Sequence, residues 1–173
     1  MKKLLSITFI ALFVCQLSFS ASNVENAKKL FKQSWKTKNI ELKKKLRKKI
    51  IKIAPNTAYG FFCKAWFIGF KKNYAFAIKM YSKAIKILPN FWQAYFNRGI
   101  SYADLKKYYL AIKDYTKAIQ INPRAASAYY NRAGIYFKLE KYYLAIKDFT
   151  KAIQINPRDA SAYFNRGISY ADL

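Results

Sequence analysis

The residues of this chain that could do chemistry are unevenly supplied. It has 33 lysines and arginines, 8 acidic residues, two cysteines and no histidine among 173 positions, for a net charge of +25. Without imidazole, the usual proton carrier near neutral pH, the commonest metal ligand and the base of most nucleophilic triads are missing. Two cysteines and eight scattered acids do not readily assemble a metal site. Hydrolysis by paired carboxylates needs two acids facing one another, and the acids here fall on repeating outer positions. The sequence therefore reads as a non-enzyme, with no catalytic residues, no cofactor and no metal. What it offers is positive charge and aromatic surface, the latter from 15 Tyr, 14 Phe and 3 Trp.

The charge is densest in residues 28–52, which hold twelve Lys or Arg and a single acid, Glu41. Lys43, Lys44, Lys45, Arg47, Lys48 and Lys49 are the candidate anion-binding residues. A basic amphipathic helix can lie on an anionic polymer or membrane surface. It can equally be the solvated face of a helix that docks by its apolar stripe, here Leu42, Leu46, Ile50 and Ile53. A second stripe, Val24, Ala27, Leu30, Phe31 and Trp35, precedes it.

The elements that must position these residues begin after an address. Met1-Lys2-Lys3, the apolar run Leu4–Val14 and the small residues Ser18 and Ser20 have the layout of a secretory signal peptide, residues 1–20. The run is too short to span a bilayer, which takes about 20 residues; an uncleaved anchor is the second reading, and a lipoprotein with Cys15 at its new N-terminus ranks third because Val14 is a poor residue before such a cysteine. Cleavage after Ser20 lowers the +25 by the two lysines and removes Cys15. Cys63 is then the only cysteine, and its neighbours Phe61, Phe62 and Trp66 point to a buried, inert thiol. The expected location is periplasmic, cell-surface or secreted.

Beyond the address the chain repeats. Pro55, Pro89, Pro123 and Pro157 lie 34 residues apart, Trp92–Ala125 and Ala126–Asp159 agree at 23 of 34 positions, and Ala160–Leu173 agrees with Trp92–Leu105 at 12 of 14. Such a period marks an array of supersecondary units. Ala94, Tyr95, Arg98, Gly99 and Tyr102 have helical spacing, as do Tyr108, Ala111, Ile112, Tyr115, Ala118 and Ile119. Each unit is thus two helices, the second ended by Asn-Pro. No run alternates as a strand does.

These residues strongly resemble the tetratricopeptide repeat (TPR) family. Its pattern falls on Tyr95, Gly99, Tyr102, Ala111, Tyr115, Ala118 and Pro123, and again on Tyr129, Ala133, Tyr136, Ala145, Phe149, Ala152 and Pro157. Arg98 and Arg132 depart from it where the family has Leu. The resemblance implies an all-α fold, a right-handed superhelical array of antiparallel helix pairs. Its parts are a basic divergent hairpin at 21–57, repeats at 58–91, 92–125 and 126–159, and a partial repeat at 160–173 with helix A only.

By resemblance, a peptide lies in the concave surface lined by the first helices, at positions 2, 5, 6, 9, 12 and 13 of each unit. The candidate groove residues are Phe62, Trp66, Phe96, Asn97, Ile100, Tyr130, Asn131, Phe137 and Asn165. Relatives that bind chaperone tails grip a carboxylate with Lys and Asn at positions 5 and 9; Phe96, Ile100, Tyr130 and Gly134 stand there instead. An aromatic floor crossed by Asn97, Asn131 and Asn165 suits a peptide backbone, though the same side chains can simply fill the interior. Arg98, Arg132 and Arg166 recur with Asp114 and Asp148, which points to a structural bridge between the helices of a unit. The expected function is an exported, non-catalytic scaffold for a protein or peptide, with an anionic envelope polymer or membrane surface as the alternative partner. Export argues against nucleic acid. The open face of the last helix raises self-association.

Overall fold

A computed structural model describes residues 21–173, all in helices and the turns between them. The expected signal peptide, its cleavage site and Cys15 lie outside the described residues. No helix among those described is long and apolar enough to cross a membrane. The chain divides into two compact units between Lys64 and Ala65.

The first unit contains α1, helical over residues 21–36, α2 (Ile40–Ile53) and the first part of α3 (Ala58–Phe70). Asn39 caps α2 by accepting a hydrogen bond from the Leu42 amide at 2.9 Å. Leu30, Phe31, Ile50, Phe62 and Cys63 form the core. The Phe31 and Phe62 rings meet edge-on at 5.0 Å. Gly60 is required here, because a Cβ would collide with the carbonyl oxygens of Ala54 and Pro55.

The apolar stripes are shorter than the sequence suggests. Val24 and Leu42 are exposed, whereas Arg47 is buried. The Arg47 guanidinium lies 5.3 Å from the Phe62 ring centroid. An arginine that seats its charge on an aromatic face and buries its stem takes up space an aliphatic side chain would otherwise fill.

The second unit contains the rest of α3, then α4 (Tyr74–Ile87), α5 (Trp92–Asp104), α6 (Tyr108–Ile121), α7 (Ala126–Lys138), α8 (Tyr142–Ile155) and α9 (Ala160–Ala171). From α4 onward each helix packs on the next, and α7 also touches α5 and α9. This is the stacked helix-pair architecture of a TPR solenoid. Small residues set the close approaches: Ala77, Ala84, Ala111, Ala118 and Ala145 have no exposed surface. Tyr115 and Phe149 fill the space beside them.

The turns repeat as faithfully as the helices. Lys72, Lys106 and Glu140 adopt φ of 59°, 56° and 58° between the two helices of successive pairs. At the second of these turns the Lys107 amide donates to the Tyr102 carbonyl at 2.8 Å and the Lys106 amide to Ala103 at 2.9 Å. That pattern closes a helix through a left-handed residue. At the far end of each pair, Asn122 and Asn156 donate their amides to Ala118 and Ala152 just before proline.

Candidate functional site

The first helices of successive pairs leave open surface between them, and α7 is the centre of it. A cleft of about 380 Å³ is lined by Ile100, Ala103 and Asp104 of α5, by Tyr130, Asn131, Gly134, Phe137 and Lys138 of α7, and by Asn165 of α9. Tyr115 and Phe149 form part of its floor. A smaller cleft of about 190 Å³ shares Ile100 and Asp104 with it and adds Trp66, Tyr81 and Asn97. Most of the surface is apolar or aromatic, with Asp104 and Lys138 as the only charged groups of the larger cleft. Such a site holds an apolar side chain and orients it with a few polar contacts.

Of the groove residues expected from the sequence, Ile100, Tyr130, Asn131, Phe137 and Asn165 come together in the larger cleft and Trp66 and Asn97 in the smaller. Two do not join them. Phe62 has no exposed surface and belongs to the core of the first unit. Phe96 packs 6.0 Å from the Tyr115 ring and against Trp92. Both positions carry rings large enough to reach the core, so a groove register alone does not keep them at the surface. Asp104, Gly134 and Lys138 occupy positions 13, 9 and 13 of their units. The same register that picked out the groove contained them, but they are not among the aromatic, aliphatic and asparagine residues chosen from its positions.

The three asparagines have internal partners. Asn97 Nδ2 donates to the Gln93 carbonyl at 2.8 Å, and Asn165 Nδ2 donates to the Tyr130 hydroxyl at 2.8 Å. Asn131 hydrogen-bonds the Tyr115 hydroxyl, whose pKa burial and the charge of Asp104 raise and the Asn131 bond lowers. A primary amide has two donors and an acceptor, so these bonds fix its orientation and leave capacity for a peptide group.

The arginines are structural. Arg98 Nε and Nη2 meet the two carboxylate oxygens of Asp114 at 2.7 and 2.8 Å, while Nη1 donates to Ser82 Oγ at 2.9 Å. Arg132 repeats this with Asp148 at 2.6 and 2.9 Å and Thr116 at 2.8 Å. Each guanidinium also lies over two tyrosine faces of its own helix. Burial disfavours the charged form of Arg98, but the Asp114 bonds outweigh it and the pKa rises.

The basic face of α2 is narrower than its composition. Arg47 is buried and is not available to an external anion. Lys44 pairs with Glu41 at 2.8 Å. Burial, then the charge of Arg47, lowers the Lys43 pKa. Lys45, Lys48 and Lys49 are exposed. Among the described residues no three His, Cys, Asp or Glu side chains gather into a metal site.

Comparison with known proteins agrees with this architecture. The family model described as Tetratricopeptide repeat matches residues 92–124 and 126–159. The first TPR of Spaghetti (RPAP3), solved bound to the HSP90 peptide SRMEEVD, is 25% identical with a TM-score of 0.65, over 66% of this chain and 90% of that one. The Arabidopsis OM64 TPR domain is 24% identical with a TM-score of 0.65, over 67% and 96%. A MamA protein is 21% identical with a TM-score of 0.66, over 89% and 82%, and shares the fold. No curated protein sequence matches the chain.

Proposed function

We propose that this chain is an exported, non-catalytic scaffold that binds a protein or peptide through an apolar segment seated against α7. The observation that carries the reading is the cleft itself, where Ile100, Tyr130 and Phe137 form an apolar wall beside oriented Asn131 and Asn165 amides. Spaghetti, similar in fold, was solved with a bound peptide, which supports a peptide as the ligand class. That peptide carries acidic residues. The cleft here has one carboxylate and one ammonium, and suits an apolar side chain better than an acidic tail. On α2, the burial of Arg47 and the Glu41–Lys44 pair weigh against the anionic-surface alternative.

Gly134 supplies the test. It lines the cleft, and a Cβ there would meet nothing within 4 Å. Gly134→Leu should fill the cleft without disturbing its neighbours, and should stabilise the helix by roughly 0.5–1 kcal/mol because glycine is unfavourable in a helix interior. The chain applied to an array of immobilised synthetic peptides should retain apolar and aromatic sequences, and Gly134→Leu should abolish that retention. Reversing Lys45, Lys48 and Lys49 to Glu should leave it intact. Retention that survives Gly134→Leu but fails on lysine reversal or in high salt would transfer the function to the basic face of α2. Export is tested by the intact mass of the secreted protein, expected to begin at Ala21.

A further inference from the structure

The second helices carry a cleft that the array repeats. The first helices touch one another from pair to pair, α5 with α7 and α7 with α9, whereas the backbones of α6 and α8 do not meet. The second helices therefore lie on the wider, outer side of the stack. On α5 and α6 a cleft of about 560 Å³ is lined by Tyr95, Lys113, Thr116, Lys117 and Gln120, together with the Arg98–Asp114 pair. On α7 and α8 a cleft of about 610 Å³ is lined by the corresponding Tyr129, Lys147, Thr150, Lys151 and Gln154, with Arg132 and Asp148, and also by Tyr143. The first cleft is open although the array continues on both sides of it, with α4 before and α7 and α8 after. Stacking of further repeats leaves such a cleft uncovered.

Each cleft carries two uncompensated positive charges. The arginine is neutralised by its aspartate. Lys113, Lys117, Lys147 and Lys151 are exposed, and among the described residues no carboxylate forms an ion pair with them. Lysines at i and i+4 on one helix face repel each other, so the pairing is unfavourable for the helix that carries it. Lys79 and Lys83 hold the same two positions on α4, where the arginine and aspartate positions are Lys64 and Met80. The lysine pair thus recurs where the structural bridge does not. Neutral groups stand beside the charges. Lys151 Nζ donates to Gln154 Oε1 at 3.4 Å, and an ammonium has three donors, which leaves two for a ligand. The Tyr143 ring of the second cleft is 72% exposed, and Tyr109, one repeat earlier, is equally so.

We propose that these clefts bind a linear anionic polysaccharide that runs along the outer side of the array and places an acidic group in each. The lysine pair holds the carboxylate or sulfate. The glutamine amide, with donors and an acceptor, meets sugar hydroxyls. The exposed tyrosine ring rests against the C–H face of a sugar. A site that repeats fits a ligand that repeats, and a single chain held in one cleft makes its contact with the next intramolecular. A bare phosphate chain would use the lysines alone and leave the tyrosine and glutamine idle.

The test is titration calorimetry of the full chain near physiological salt with dextran sulfate, with uncharged dextran and with polyphosphate of equal total charge. Saturable binding of dextran sulfate is expected, with none of dextran and weaker binding of polyphosphate. Replacing Lys113, Lys117, Lys147 and Lys151 together by Gln should abolish it. Replacing Lys45, Lys48, Lys49 and Lys52 by Gln removes the same charge from α2 and should leave it nearly unchanged. Lys113→Gln with Lys117→Gln alone should weaken binding about tenfold or more, because the remaining cleft then acts without its neighbour. Tyr143→Ala should weaken the binding of dextran sulfate and not that of polyphosphate. Circular dichroism and urea midpoints should be unchanged in the lysine variants, which assigns any loss to binding. The proposal is overturned if dextran sulfate does not bind, if both quadruple variants lose binding equally, if the double variant binds like the unaltered chain, or if polyphosphate binds as tightly as dextran sulfate. It is also overturned if phosphatidylglycerol vesicles bind through the four cleft lysines and dextran sulfate does not, because the occupant is then a membrane.

Discussion

Asp114→Asn keeps the shape of the side chain and removes its charge. The Asp114 side chain is 5% exposed and that of Arg98 17%. The two charged hydrogen bonds cannot both survive, because an amide presents an acceptor on one side only and its NH2 group would face a guanidinium N–H. Breaking a buried pair on one side is destabilising by about 3–5 kcal/mol. Arg98 keeps Ser82, two tyrosine faces and some contact with water, so the lower end applies, about 3 kcal/mol. Urea melts of the purified chain would read this as a lower midpoint. A second variant sharpens the test. Arg98→Met with Asp114→Leu removes both charges and leaves no stranded ion, so it should be more stable than Asp114→Asn alone, because well-packed apolar pairs commonly match the ion pair they replace. A loss below about 1 kcal/mol for Asp114→Asn, the level of a surface pair, would refute the reasoning. So would a double variant less stable than the single one.

Three further outcomes follow from other parts of the fold. Lys106→Gly should raise stability by roughly 0.5–1 kcal/mol in the same melts, because the left-handed backbone there is unfavourable for a residue with a Cβ. Ala118→Leu should lower it by roughly 1–3 kcal/mol, the usual effect of overfilling a close contact. Burial pushes the Cys63 thiol from 9.0 up to about 12, with the Arg47 charge acting the other way. Its proton is held more tightly folded than unfolded, so this contribution is complete below about pH 9 and is lost as pH rises through about 12. The difference in stability between the chain and Cys63→Val should therefore change across that interval and be flat below it, and the native thiol should resist alkylation at pH 8.

The repeat, its helices and the Arg–Asp bridges were legible because they depend on residue type at fixed spacing. The position of Ala111 is small in every complete pair, and Asp114 faces Arg98 as Asp148 faces Arg132, so period and chemistry agree. Surface exposure was harder to read. Phe62 and Phe96 share a register position with Tyr130 of the cleft, yet Phe62 is buried and Phe96 is half-buried against Tyr115 and Trp92, because a ring at the edge of a helix face can reach either way. Arg47 reads as surface charge in any composition window; its burial depends on the Phe62 ring, which lies on another helix. The left-handed lysines at 72 and 106 carry no glycine to announce them.

The arginine bridges have a consequence for how such a chain can change length. Arg98 reaches back 16 residues to Ser82 and forward 16 residues to Asp114, and Arg132 does the same to Thr116 and Asp148. Each arginine thus ties the second helix of the preceding pair to that of its own. A tandem duplication of residues 92–125 delivers one complete set of these contacts, and the arginine at the new junction again finds a hydroxyl behind it and a carboxylate ahead. A deletion of one whole unit heals in the same way. Gain or loss of any other number of residues separates an arginine from one or both partners. The bridge therefore acts as a length standard, tolerating growth and shrinkage in steps of 34 residues and penalising everything between.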